Sequence, residues 1–240
     1  MHTLHPALLR ECTPVPINGT DGTCCSILNN PKSFFAAQDN LEAMIDPFHT
    51  LATSGFGMRK SDMKFESIFS HVAGVDRLAL LHREQEMIGF ASFSHFPEES
   101  VAYIRGVAFP PDSQKGNLAY RLLQASLKGT SYTRLGFTTQ NPRMFCLGRK
   151  LAHGLIPNPK QRIVPEDLQK IGVKLLASKK CKLELETFRL PNFYDPCMYE
   201  SLPASGDEDV NEWFHQSLEV VNGKTTHGFL FIGNLSVPLN

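Results

Sequence analysis

At 240 residues the chain is long enough for one large domain or two small ones, and it can bury a sizeable core without disulfide or metal staples. A hydrophobic content of 42% with 20% charged residues excludes wholesale disorder, and 24 basic residues balanced by 24 acidic ones exclude a long-range electrostatic pull toward nucleic acid or an anionic membrane. The six cysteines, at 12, 24, 25, 146, 181 and 197, include no C-x-x-C pair, and the nine histidines show no ligand spacing, so the reading is reduced thiols and no metal. The opening MHTLHPALLRECTPVP has neither the basic start nor the apolar run of a secretory signal, and no stretch approaches the length of a membrane span. We therefore expect a soluble, cytoplasmic protein, in which the N-x-[ST] sequons at Asn18 and Asn234 are fortuitous.

In chain order, residues 1–30 are loop-like with one strand near Cys24–Leu28. Pro31 opens a helix whose Phe34, Phe35, Leu41, Met44 and Ile45 recur at helical spacing; Pro47 interrupts it, and a second helical piece follows at Phe48–Thr53 before the loop TSGFGMRKSD. Leu78–His82 and Met87–Phe93 form a hairpin around REQE, and Val101–Phe109 is a third strand ended by Pro110-Pro111-Asp112. A helix over Gln114–Lys128 closes on Gly129; Tyr132–Thr138 is a strand, and Asn141–Leu151 a helix with Pro142 in its first turn. In the last third, Pro165–Ala177 reads as a helix, Leu183–Leu190 as a strand and Pro191–Ser205 as a loop. Asp207 caps a helix over Glu208–Val221, and Thr226–Leu235 is the closing strand. Trp213 and Phe214 fall on that helix and are assigned to the core. The strand–helix–strand unit implies one parallel pair inside an otherwise antiparallel sheet, an α/β (α+β) domain.

The informative stretch is Val101 to Leu151. A strand breaks at a Pro-Pro turn, and a helix opens with Gln114-Lys-Gly-Asn-Leu-Ala119. A helix start exposes unpaired backbone N–H groups and partial positive charge, which suits phosphate; Gly116 permits close backbone approach, and Ala119 keeps the first turn uncrowded. The run from Val107 to Leu123 resembles the Q/R-x-x-G-x-G/A signature of the GNAT (general N-acetyltransferase) superfamily. Gln114 stands in the first place, Asn117 in the central glycine's place and Ala119 in the last, with Leu122 and Leu123 as the paired leucines. Downstream, Asn141, Leu147, Lys150 and Leu151 are similar to the family's N-x-x-A-x-x-L-Y-x-K-L-G-F segment, except that Gly148 stands where the family often has a tyrosine.

The resemblance implies a mixed, mostly antiparallel central sheet with flanking helices and splayed fourth and fifth strands. It divides the chain into an acetyl-CoA-binding core over 1–155 and an extension over 156–240 that completes the sheet and the acceptor side. It implies acetyl-CoA as cosubstrate, held by Val107, Phe109, Gln114, Lys115, Gly116, Asn117, Leu118, Ala119 and Asn141, with a backbone N–H near Val107 polarising the thioester carbonyl. The partner is an unidentified primary amine on a small molecule or protein; nucleic acid and membrane are not expected. A base must take the ammonium proton, and Glu98, Glu99 and His95, between two strands, are the candidates; each is equally an ordinary exposed loop residue. Three alternatives stay open: transfer from a longer acyl-CoA, a CoA-binding sensor of low activity favoured by Asn117 and Gly148, and an interaction module whose phosphate path is blocked by Lys115 and Asn117.

Overall fold

A computed structural model of the chain describes residues 2–17, 22–114 and 116–236; Asn18 and Lys115 therefore lie outside the described residues. The chain divides into two compact units, one built on Met1–Ser94 with Ile104–Thr130, the other on His95–Tyr103 with Ser131–Pro238.

In the first unit the strands run in the order β1 (Thr13–Val15), β2 (Cys24–Asn29), β3 (Arg77–Arg83), β4 (Glu86–Phe96) and β5 (Val101–Ala108). The first three pairings are antiparallel, and the β3–β4 hairpin turns on Glu84 in the left-handed region (φ 51°). One core gathers Leu8 of α1 (Pro6–Glu11), Phe35 of α2 (Pro31–Ala36), Phe48 of α3 (Leu41–Phe56) and Ile68 and Val72 of α4 (Phe65–Val72) against Leu78, Leu80 and Phe90. Pro47 does not interrupt its helix. The break expected there falls earlier, between Ala37 and Asn40, and α3 runs through Pro47 to the left-handed Gly57. Burying Met44, Ile45, Phe48, Leu51 and Ala52 along one face outweighs a proline cost of about 3 kcal/mol. Helix α1 and strand β1 stand in the stretch expected to be loop, where Leu8 is buried in the core and β1 pairs with β2, and α4 lies in a segment left unassigned.

In the second unit the order is β5, β6 (Arg134–Thr139), β9 (Gly228–Leu235) and β7 (Ala152–Ile156), with β8 (Arg189–Leu190) also on β9. All pairings to β9 are antiparallel. The start of β5 and β6 form the parallel pair: Ser100 C=O accepts from Thr133 and Arg134 N–H at 3.1 and 2.9 Å, and further on Tyr103 Oη donates to Thr138 Oγ1 at 3.2 Å. The expected strand over Leu183–Leu190 shrinks to its last two residues, because Glu184–Phe188 closes a turn and drives the Phe188 ring into the core beside Leu230 and Ile232. Helices α6 (Pro142–Leu151), α7 (Glu166–Leu176) and α8 (Glu208–Ser217) complete the unit. Helix α8 stops four residues early: Glu219 is left-handed (φ 53°), and Val220 N–H reaches back to His215 C=O at 3.0 Å. Trp213 stacks on Phe229 at 4.8 Å and Phe214 is fully buried, as the sequence indicated. Among the described residues no helix is long and apolar enough to cross a membrane.

Candidate functional site

The turn after β5 belongs to the first unit. Phe109 is 5% exposed, its ring against the side-chain-free face of Gly89, where a Cβ would collide with it. The Phe109 side chain is thus taken up in packing, while Val107 is half-buried. Pro111–Ser113 makes a single 3-10 turn. Gln114 then folds back, and its Nε2 donates to the carbonyls of Gly55 and Phe109, each at 3.1 Å. A Cβ on Gly55 would stand 2.6 Å from the Phe109 oxygen, so this tie needs glycine at 55. The Gln114 side chain fixes the turn; it is not held out for a ligand.

The helix begins at Leu118, four residues later than the sequence suggested, because Gly116 (φ 74°) and Asn117 (φ 61°) are both left-handed. Asparagine tolerates that region better than other side-chain-bearing residues, which is how it replaces glycine here. Helix α5 (Leu118–Leu127) has no side-chain cap and no acidic residue in its first turn. Its first helical bond runs from Arg121 N–H to Asn117 C=O at 3.0 Å, so the amides of Leu118, Ala119 and Tyr120 have no acceptor within the helix. Gly116 and Asn117 are exposed, and nothing lies within 4 Å of a Cβ built on Gly116. This is an open, positively polarised backbone surface able to take phosphate oxygens.

Asn141 lies in the second unit, and its side chain is already employed. Oδ1 accepts from Arg143 N–H at 2.9 Å, capping α6, and Nδ2 donates to Tyr199 Oη at 3.0 Å. Tyr199 belongs to the loop over 191–205, which is fastened to the β6–α6 corner along its length. Tyr194 hydrogen-bonds Thr138. Gln140, with its amide oriented to satisfy both neighbours, accepts from Met198 N–H at 3.0 Å and donates to Thr225 C=O at 2.8 Å. Arg143 Nε reaches Ala204 C=O at 2.7 Å, and beyond the loop Arg149 pairs with Asp207 at 2.7 Å. Burial pushes the pKa of both tyrosines up, that of Tyr199 to about 12, so both phenols are neutral. The sequence offered no sign of this strap beyond its tyrosines, because hydrogen bonds spanning some sixty residues leave no local pattern. Gly148, on α6, faces the core: a Cβ there would come within 2.5 Å of the Phe137 ring, so no tyrosine fits.

The three base candidates also fall in the second unit, in and beside the turn that precedes β5. Glu99 is ion-paired to Lys174 at 2.6 Å with its side chain 8% exposed, Glu98 lies 3.7 Å from the same ammonium, and the His95 ring packs on Tyr132 at 4.7 Å. They precede β5, whereas Val107 and the phosphate-type turn end it.

Several solved structures are similar to this chain over most of its length, each at low identity and a TM-score below 0.5. One is RimL, a ribosomal L7/L12 α-N-protein acetyltransferase in complex with coenzyme A, at 13% identity and TM-score 0.45 over 93% of this chain and 98% of that one. Another is a GNAT family acetyltransferase from Elizabethkingia anophelis with acetyl-CoA bound, at 14% identity and TM-score 0.44 over 90% and 100%. A third is Tetrahymena GCN5, at 12% identity and TM-score 0.45 over 88% and 97%. No protein-family model matches the chain, and no curated protein matches it.

Proposed function

We propose that the chain is a GNAT-type acyltransferase that moves the acetyl group of acetyl-CoA to a primary amine of a small molecule or protein. The observation that carries this is the turn after β5. Two successive left-handed residues, Gly116 and Asn117, deliver the backbone into an uncapped helix start with no acidic residue to repel a phosphate. That turn holds the residues that resemble the family's pyrophosphate signature. On this reading the pyrophosphate rests on the amides of Gly116–Ala119, and the pantetheine arm follows the end of β5. A backbone N–H near Val107 stabilises the oxyanion as the amine attacks.

The test is calorimetric titration of the purified chain with acetyl-CoA and, in parallel, with CoA. Ala119→Asp supplies the control. A carboxylate in the first turn favours the helix itself, by about 0.3–1 kcal/mol, yet repels a bound phosphate. Saturable binding that weakens at least tenfold in the folded Ala119→Asp protein supports the reading; identical affinity in both proteins, or no binding to the wild type, sinks it.

A second reading, a CoA-binding protein of low activity, draws on Gly148. With Phe137 filling the space at that position, the chain has no tyrosine where the family's proton donor often stands. Binding of CoA without thiol release from acetyl-CoA across a panel of amines would favour it.

A further inference from the structure

The second unit holds a cavity of about 200 Å³ that the acyl-transfer reading does not use. Arg134 at the start of β6, Gly154 and Ile156 of β7, Asp167 and Leu168 at the start of α7, and Ile232 of β9 line it. A bulge in β7 makes the room. His153 pairs with Asn234 and Ile156 with Ile232, so Gly154 and Leu155 together stand opposite the single residue Gly233. A Cβ on Gly233 would come within 3.0 Å of Leu155 Cα, so the bulge packs on bare backbone there. Gly154 is left-handed (φ 61°) and exposed, with nothing within 4 Å of a Cβ built on it. A bulge of this kind leaves a residue out of the ladder and bends its strand, and bulges recur beside binding sites for that reason.

Two opposite charges line this cavity without pairing. Arg134 is half-buried, and its Nη1 donates to Glu99 C=O at 2.9 Å, which anchors the guanidinium while using one of its N–H groups. A carbonyl leaves the positive charge uncompensated, and Arg134 forms no ion pair among the described residues. Asp167 is held in the first turn of α7 and has no cationic partner among the described residues, whereas Glu166 beside it pairs with Lys170 at 3.8 Å. The guanidinium and the carboxylate are thus fixed on different elements, facing one cavity, each with its charge available. The remaining side chains are apolar: Ile156 and Ile232 are buried and Leu168 is half-buried. A ligand that matches this lining offers a carboxylate to the guanidinium fork, an ammonium to the aspartate and a short aliphatic group to the isoleucines and leucine. One small skeleton carries all three groups, that of an aliphatic α-amino acid.

We infer that this cavity binds a small aliphatic α-amino acid as its zwitterion, with the carboxylate on Arg134, the ammonium on Asp167 and the side chain against Ile156, Leu168 and Ile232. An amine held as an ammonium by a carboxylate has no lone pair to give. The ligand of this cavity is therefore not the amine that attacks the thioester, and the site stands whether or not the chain transfers acyl groups.

The experiment titrates the full chain with L-valine by calorimetry, and in parallel with isovalerate, which lacks the amino group, and isobutylamine, which lacks the carboxylate. Saturable binding of valine is expected, with either fragment weaker by roughly tenfold or more, because each forgoes one charge-assisted contact. Arg134→Gln and Asp167→Asn are each expected to weaken valine binding by roughly tenfold or more. Arg134→Gln also loses the bond to Glu99 C=O, whereas Asp167 is exposed and asparagine is isosteric with it. Asp167→Asn therefore carries the comparison if the arginine variant fails to fold, which the fluorescence of the buried Trp213 reports. No saturable binding of valine to the wild type overturns the assignment, as does wild-type affinity in either folded variant. A fragment that binds as tightly as valine overturns it too, because only one of the two charges would then be engaged.

Discussion

Replacing Asn141 by alanine removes two hydrogen bonds at once, the cap from Arg143 N–H at 2.9 Å and the bond to the Tyr199 phenol at 3.0 Å. Loss of a helix cap costs about 0.5–2 kcal/mol, and a neutral side-chain hydrogen bond is worth about 0.5–1.5 kcal/mol net, so the substitution destabilises by about 1–3.5 kcal/mol. At about 2 kcal/mol, a chain of 240 residues loses roughly 4–8 °C in Tm. The two shares separate with Asn141→Ser, which still caps α6 but is too short to reach Tyr199; it recovers about 1 kcal/mol of the loss. Urea denaturation reports both through the fluorescence of Trp213, the single tryptophan, buried at 3% exposure and stacked on Phe229 in the same unit. The reasoning is refuted if both variants unfold at the wild-type midpoint while acetyl-CoA affinity falls. The Asn141 side chain would then serve the ligand, as the motif alone implies, and contribute nothing to the fold.

Gly148→Ala places a methyl 2.5 Å from Phe137 Cζ and should cost about 1–3 kcal/mol by overpacking; Gly148→Tyr, which restores the family's residue, should unfold the second unit and not raise turnover, read by the same denaturation and by thiol release. The Asp207 carboxyl is held below its usual range first by the hydrogen bond from Arg149 and then by Val210 N–H at the start of α8. Because the folded value is the depressed one, its stabilisation is present above the ordinary carboxylate value of about 3.9 and is lost as pH falls through the folded value. Asp207→Asn keeps a good cap but removes the ion pair, so it should flatten the acid limb of a urea-midpoint against pH curve, and an unchanged limb would count against the pair.

What the sequence showed and what it hid divide along a physical line. Elements defined by a long apolar period or by a local cap were legible. The β3–β4 hairpin, β5, α6 with Pro142 at its first turn and α8 on Asp207 all stand where residue patterns put them. Misreadings arose where tertiary burial overruled a local rule. Proline 47 sits inside α3 because five neighbours are buried, and the run over 183–190 became a turn because Phe188 is worth more in the core than on a strand. At the candidate site, Gly116 and Asn117 were legible as the residues that set the helix start, although that start was placed four residues early, at Gln114. The strap over 191–205 was not, because its bonds to Asn141 and Arg143 span some sixty residues, and no spacing in the chain encodes that.

The same division explains why the two motif matches differ in worth. The first motif is read out by backbone amides, so a change of side chain matters only through φ and ψ. Asn117 at φ 61° preserves the surface that a glycine would have made. The second motif is read out by side chains, and here those side chains have been taken over. Asn141 caps a helix and holds Tyr199, and the space at Gly148 belongs to Phe137. On the proposed function, cosubstrate affinity and acyl-transfer chemistry would therefore rest on separate groups. Measuring acetyl-CoA affinity and thiol release on the same preparations of the wild type and of Ala119→Asp separates the two: a loss of turnover that follows the loss of affinity traces to the amide surface, and an absence of turnover at full affinity traces to the side chains.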